Sequence, residues 1–142
     1  MISQCLQPCS LEALKAALDQ SDKLLFAAGG TDLVVRMNRQ AMPYTTLIDL
    51  SHMEPLKVIE IRDQTLFIGA MCTMQTISKS ALVWSNAAFL SKAADHVGST
   101  QIRNRATIGG NVANAAQCAD TVPALIALEA EIPFYALQRR LV

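Results

Sequence analysis

The sequence predicts an α+β fold, and three observations predict it. Helical and extended patterns alternate through the first third of the chain. A hairpin pattern follows, and the remainder reads as helices, an order that does not suit a uniformly alternating α/β wind. The 142 residues are 51% apolar and 17% charged, which excludes a disordered chain and supplies enough apolar surface for a core. At about 100–200 residues per domain, this is one domain or part of one.

The elements follow in order. Ser10 is a candidate N-cap, and Leu11, Leu14, Ala17 and Leu18 share one helical face that ends near Gln20-Ser21-Asp22. Lys23 to Ala28 is a short apolar run stopping at Gly29-Gly30, the pattern of a strand buried on both faces that enters a turn. Thr31 or Asp32 is placed to cap a brief helix containing Leu33, Val34, Val35 and Met37, closed by Pro43. Thr46 to Leu50 reads as a strand. Val58 to Ile61, a polar turn at Arg62-Asp63-Gln64, and Thr65 to Ala70 read as a hairpin. Thr73 is placed to cap one helix containing Met74, Ile77 and Leu82, and a second helix fits Ala87 to His96. Gly98 to Gln101 reads as a polar loop and Ile102 to Ile108 as an extended run into Gly109-Gly110. Asp120, Pro123 and the stripe Val122, Leu125, Ile126, Leu128 mark a last helix.

Composition excludes several functions. Twelve basic residues against twelve acidic ones leave no cationic surplus for neutralising nucleic-acid phosphates. No apolar run approaches the roughly 20 residues needed to span a bilayer. The first residues lack the basic and apolar regions of a signal peptide, so the expected location is cytoplasmic, with no membrane association. Cys5 and Cys9 are separated by three residues, and Cys72 and Cys118 stand alone, a spacing that suits neither zinc nor an iron–sulfur cluster. With His52 and His96 also isolated, no metal site is expected.

Two segments carry chemistry. Ala27-Ala28-Gly29-Gly30-Thr31-Asp32 runs from an apolar strand into a short helix, and Thr107-Ile108-Gly109-Gly110-Asn111 repeats the glycine pair. Glycines let main-chain amides approach a phosphate oxygen with no side chain intervening, and a following helix N-terminus adds attraction. Two such turns in one domain suit the two phosphates of a dinucleotide. Neither matches the P-loop or the G-x-G-x-x-G fingerprint, so such a ligand binds by another architecture. Each pair also reads as a strand-end turn that merely needs glycine.

At this point the chain resembles the N-terminal part of the FAD-binding subunit of the molybdenum hydroxylases, the xanthine dehydrogenase and carbon monoxide dehydrogenase group. The resemblance rests on LLFAAGGTDLVV (Leu24 to Val35), Ile48 to Leu50, Ile68-Gly69-Ala70, and VGSTQIRNRATIGGNVANAAQCADTVPALIALEA (Val97 to Ala130). The last is similar to the family pattern G-S-x-Q-I-R-N-x-A-T-I-G-G-N, a small-residue loop, Asp, and P-A-L-x-A-L. The resemblance implies a vanillyl-alcohol-oxidase-type (PCMH-like) fold: a small βαβ subdomain over residues 1–55, then an incomplete antiparallel-sheet subdomain with helices over residues 56–132. It implies that FAD, held non-covalently, lies along Phe26, Ala27, Ala28, Gly29, Gly30, Thr31 and Asp32, with the first loop's amides on the diphosphate. Thr107, Ile108, Gly109, Gly110 and Asn111 would approach the same diphosphate, and Val97 and Gly98 would line the pocket nearby. Asp120 matches an acid that contacts the cofactor and equally reads as a helix N-cap. Arg103 and Arg105 read from their spacing as solvated or subunit-facing rather than as phosphate partners.

The implied function is electron relay, from iron–sulfur clusters through FAD to NAD+ or another acceptor. The partners are the iron–sulfur and molybdopterin subunits, and no catalytic acid, base or metal is demanded of this chain. The exposed side of Val97–Arg105 is a candidate docking surface. Family members are considerably longer, and the likeness fades after Glu131, leaving residues 133–142 as a divergent tail in which Pro133 interrupts any ladder. The sequence therefore reads as a truncated product, expected to bind FAD weakly if at all. The alternative function is a non-catalytic remnant serving assembly or interaction.

Overall fold

A computed structural model describes residues 2–20, 22–117 and 119–134; Met1, Ser21, Cys118 and residues 135–142 lie outside these, and with them most of the segment expected to be a divergent tail. The chain runs β1 (Gln4–Leu6), α1 (Leu11–Leu18), β2 (Leu24–Ala27), α2 (Leu33–Arg39) and β3 (Thr46–Asp49). It continues with a hairpin, β4 (Ile59–Arg62) and β5 (Thr65–Ile68), and then five helices. These are α3 (Met74–Lys79), α4 (Ala81–Asn86), α5 (Ala88–His96), α6 (Thr100–Arg103) and α7 (Ile108–Asn114), followed by a sixth, α8 (Thr121–Ala127).

The first three strands form a parallel sheet in the order β1-β3-β2, with Leu25 beside Leu47 and Cys5 on its other side. β1 gave no sequence signal, since three residues are too few to show alternation. The Ser10 hydroxyl accepts from the Ala13 amide at 3.1 Å, as its N-cap position requires. This starts α1 in the register that buries Ala17 and Leu18 against Ile48, with Leu6, Leu14 and Leu24 alongside. The expectation that Lys23–Ala28 is buried on both faces is not met. β2 is an edge strand, and Phe26 stays 46% exposed.

β4 and β5 pair antiparallel through a two-residue turn in which Asp63 and Gln64 have φ of 46° and 65°. Both angles positive match the twist of the flanking strands, although neither residue is the glycine this geometry favours. Ile59, Leu66 and Ile68 pack on the larger core, which buries Met74, Ile77, Val83, Leu90, Ala94 and Ala124. The single helix expected over Met74 to Leu82 is two helices. Thr73 caps the first and Ser80 both ends it and caps the second, accepting from Val83 at 3.3 Å. The expected loop at Gly98–Gln101 is likewise the start of α6, because the Ser99 hydroxyl caps it. The extended run expected over Ile102–Ile108 shrinks to a bridge between Thr107 and Thr73.

Asp49 ends β3 on the sheet. Burial opposes its ionisation, but the Gln7 amide and the Ser51 main-chain N–H, each donating at 2.9 Å, outweigh this and hold its carboxyl below the usual value. A depressed folded pKa adds stability that is complete above about pH 4 and lost as pH falls through the folded value. Asp49→Asn is therefore expected to lower the urea midpoint at pH 7 and to flatten its fall below about pH 4. Gln64→Gly is expected to raise stability by about 1 kcal/mol, read from the same urea midpoint, because only glycine adopts positive φ without steric cost.

Candidate functional site

The structure brings the two glycine turns together. A Cβ placed on Gly29 would lie 1.9 Å from the carbonyl oxygen of Arg105 and 3.0 Å from the Ala106 Cα. The main chain entering the second turn thus lies directly on the first, in space that any side chain would fill. A Cβ on Gly110 would stand 3.6 Å from that of Ala28. Gly30, with φ of 78°, turns the chain into α2, and its carbonyl accepts the Val34 amide at 3.0 Å. Asp32 sits at the N-cap position but its side chain makes no capping bond, so the expected cap by Thr31 or Asp32 is absent. Across the two turns, Arg36 donates to the Asn114 side-chain oxygen at 3.3 Å, linking α2 to α7.

The two turns differ in what their amides do. Ile108 donates to the Cys72 carbonyl at 3.1 Å, and Gly109 to that of Ala70 at 2.9 Å. Gly110 donates to the Thr107 hydroxyl at 3.2 Å, and Asn111 to the Thr107 carbonyl at 3.0 Å. The second turn is thereby the capped first turn of α7, and its amides are consumed internally. Its glycines serve packing: a Cβ on Gly109 would press on Ala70 at 2.8 Å. Of the two glycine turns, only the first leaves its main-chain amides without a protein acceptor among the described residues. Among the described residues, the amides of Ala28, Gly29, Gly30, Thr31 and Asp32 have no protein acceptor. Ala28 to Thr31 are half-buried and Asp32 is exposed, and five N–H groups in succession without a protein acceptor can receive an acceptor-rich ligand.

The remaining predicted residues surround this surface unevenly. Phe26 and Ala27 end β2, and the Ala27 carbonyl accepts from Leu50 at 2.9 Å. Ala28, Gly29 and Thr107 line a cleft of about 270 Å³ that also takes in Lys57, Cys72 and Arg105. Burial raises the Cys72 thiol above its ordinary pKa, against the opposing hydrogen bond to the Gly69 backbone, so this thiol is uncharged at neutral pH. Val97 belongs to the larger core, and Gly98 makes the turn after α5 at φ of 48°. Arg103, expected to be solvated or subunit-facing, is not solvated: its side chain is 16% exposed. It donates to the Gly98 carbonyl at 3.0 Å and to the Thr100 hydroxyl at 3.2 Å, and it stands 3.9 Å from Asp95. It fastens the α5–α6 turn from inside. Asp120 lies at the N-cap position of α8 without a capping hydrogen bond from its side chain. Next to it, the buried Thr121 hydroxyl donates to the Asn111 side-chain oxygen at 2.5 Å, a tie between α7 and α8 that no sequence signal marked.

The surface suits the diphosphate of a dinucleotide cofactor: main-chain donors in series, two of them on glycines, with the second turn packed alongside. Among the described residues there is no group of His, Cys, Asp or Glu that could hold a metal ion, and no helix is long and apolar enough to cross a membrane.

Comparison with known proteins agrees with this geometry. Residues 1–141 match the family described as the FAD binding domain in molybdopterin dehydrogenase. The chain is 36% identical over 127 residues to the nicotinate dehydrogenase FAD-subunit of Eubacterium barkeri, covering 88% of this chain and 43% of that protein. It is 34% identical over 118 residues to the carbon monoxide dehydrogenase medium chain of Hydrogenophaga pseudoflava, covering 83% and 40%. Among solved structures, carbon monoxide dehydrogenase from Hydrogenophaga pseudoflava superposes with a TM-score of 0.74 at 32% identity, over 80% of this chain and 40% of that one. Quinoline 2-oxidoreductase from Pseudomonas putida 86 gives 0.75 at 28% identity, over 81% and 40%. The chain thus spans about two fifths of the length of the relatives it matches. On the residues matched and on these identities, the chain belongs to the family of FAD-binding domains of the molybdopterin dehydrogenases.

Proposed function

We propose that the chain acts as the FAD-binding part of a molybdenum-containing dehydrogenase of the xanthine dehydrogenase type, relaying electrons from iron–sulfur clusters to NAD+ or another acceptor. The observation that carries this reading is the row of five acceptor-less amides from Ala28 to Asp32. Bound flavin supplies the redox chemistry. The chain's residues bind and orient it. The Ala28–Asp32 amides donate to the diphosphate oxygens, and the positive end of α2 adds its field to theirs. The packing of Gly29 under Arg105–Ala106 fixes the spacing of those donors before any ligand arrives, which lowers the ordering cost of binding. Gly109 to Asn111, whose amides are spent, hold the opposite wall in place, and Phe26, Val97, Gly98 and Asp120 complete the set of residues assigned to the cofactor.

The relatives are an FAD-subunit and a medium chain, names that imply assemblies of several chains. The partners assigned to this chain are accordingly an iron–sulfur subunit and a molybdopterin subunit, with the exposed side of Val97–Arg105 as the docking surface. Substrate choice then belongs to the molybdenum subunit.

The test is competition. FAD fluorescence is expected to change on titration with the purified chain, ADP to reverse the change and riboflavin to do so poorly, because the recognised element is the diphosphate. Gly29→Ala is expected to weaken FAD binding by about a hundredfold or more, since its methyl cannot coexist with the Arg105 carbonyl. Circular dichroism recorded alongside separates loss of the turn from loss of the fold. Riboflavin competing as well as ADP would remove the diphosphate from the account.

A further inference from the structure

Resting on that reading, we infer that Arg105 is the cation that neutralises the cofactor's diphosphate, reached through the cleft behind the first glycine turn. Amides supply hydrogen bonds but no net charge, and a diphosphate brings two negative charges that must leave water. Among the described residues, two cations line the cleft that contains Ala28 and Gly29: Lys57 and Arg105. They are not equivalent. The Lys57 ammonium is engaged at 2.6 Å by the Glu54 carboxylate, so its charge is already answered. Arg105 has an exposed side chain with no ion pair or hydrogen bond to any described residue.

The placement of Arg105 follows from the fold. Its carbonyl is the atom that rests on Gly29, and its amide donates to the Ile102 carbonyl at 2.9 Å, closing α6. The main chain of the residue is thus pinned to the cradle, while its side chain is exposed and has no partner among the described residues. A planar guanidinium offers paired N–H groups that match phosphate oxygens, which a lysine does not. Arg103, two residues earlier, is unavailable because its guanidinium is spent on Gly98, Thr100 and Asp95. The two arginines divide the work: one builds the turn and the other is left for the ligand.

The experiment measures FAD and riboflavin affinities for the full chain by equilibrium dialysis, at low and at high salt. Arg105→Gln is expected to weaken FAD about tenfold at low salt and to flatten the salt dependence, with riboflavin affinity unchanged. Arg105→Lys is expected to recover the salt dependence but only part of the affinity, which distinguishes lost charge from a disturbed turn. Lys57→Gln is expected to change FAD affinity less than Arg105→Gln. If Arg105→Gln binds FAD with wild-type affinity and salt dependence, the role of Arg105 falls while the FAD reading stands. If the unaltered chain discriminates FAD from riboflavin not at all, both fall.

Discussion

The structure depends on one close approach, that of the Gly29 backbone to the Arg105–Ala106 backbone. It joins the parallel sheet of the first third of the chain to the hairpin-and-helix remainder at a point where neither contributes a side chain. Everything proposed for the site is a consequence. Because the second segment occupies the place of a Cβ, the turn after β2 is held in a shape that leaves the amides from Ala28 to Asp32 without acceptors. Donors held in this way without a protein acceptor stay available to a ligand.

The supports of this contact are spread through the fold. Segment 70–74 carries the second turn: Ala70 and Cys72 accept from Gly109 and Ile108, and Met74 donates to the Ala106 carbonyl at 2.8 Å. The hairpin ends where that segment begins, with the Met71 amide bound to the Leu56 carbonyl at 2.8 Å. Behind it, α3 and α5 pack through Ile77, Leu90 and Ala94. The position of Gly109–Asn111 is therefore an output of the larger core, while that of Gly29–Gly30 is an output of the small sheet. The site is the line where two cores meet.

Which parts were legible in the sequence follows from the range of the forces involved. Ser10 and Thr73 announce their helices because a capping hydroxyl acts within three residues, and the hairpin shows because its turn lies between two apolar runs. The glycine turns are legible as motifs. What they do is not, because it depends on partners far along the chain: Ala70 and Cys72 for the second turn, Arg105 for the first. The two pairs look alike in sequence, yet one spends its amides and the other offers them. Local polarity misled at Gly98–Gln101, where a hydroxyl that read as loop is a helix cap, while Ser80, inside an expected single helix, ends one helix and caps the next. The solvated alternative for Arg103 failed for a related reason, since no short-range signal distinguishes a guanidinium folded under its own turn from one in water.

The central claim is that the first turn, and not the second, presents main-chain donors to the cofactor diphosphate. Amide proton shifts of the isotopically labelled chain, recorded with and without FAD, test it most directly. The account predicts downfield shifts for Ala28, Gly29, Gly30, Thr31 and Asp32, whose N–H groups gain an acceptor, and far smaller ones for Ile108, Gly109, Gly110 and Asn111, whose N–H groups already have theirs. Large downfield shifts confined to the second group, with the first group unmoved, would contradict it.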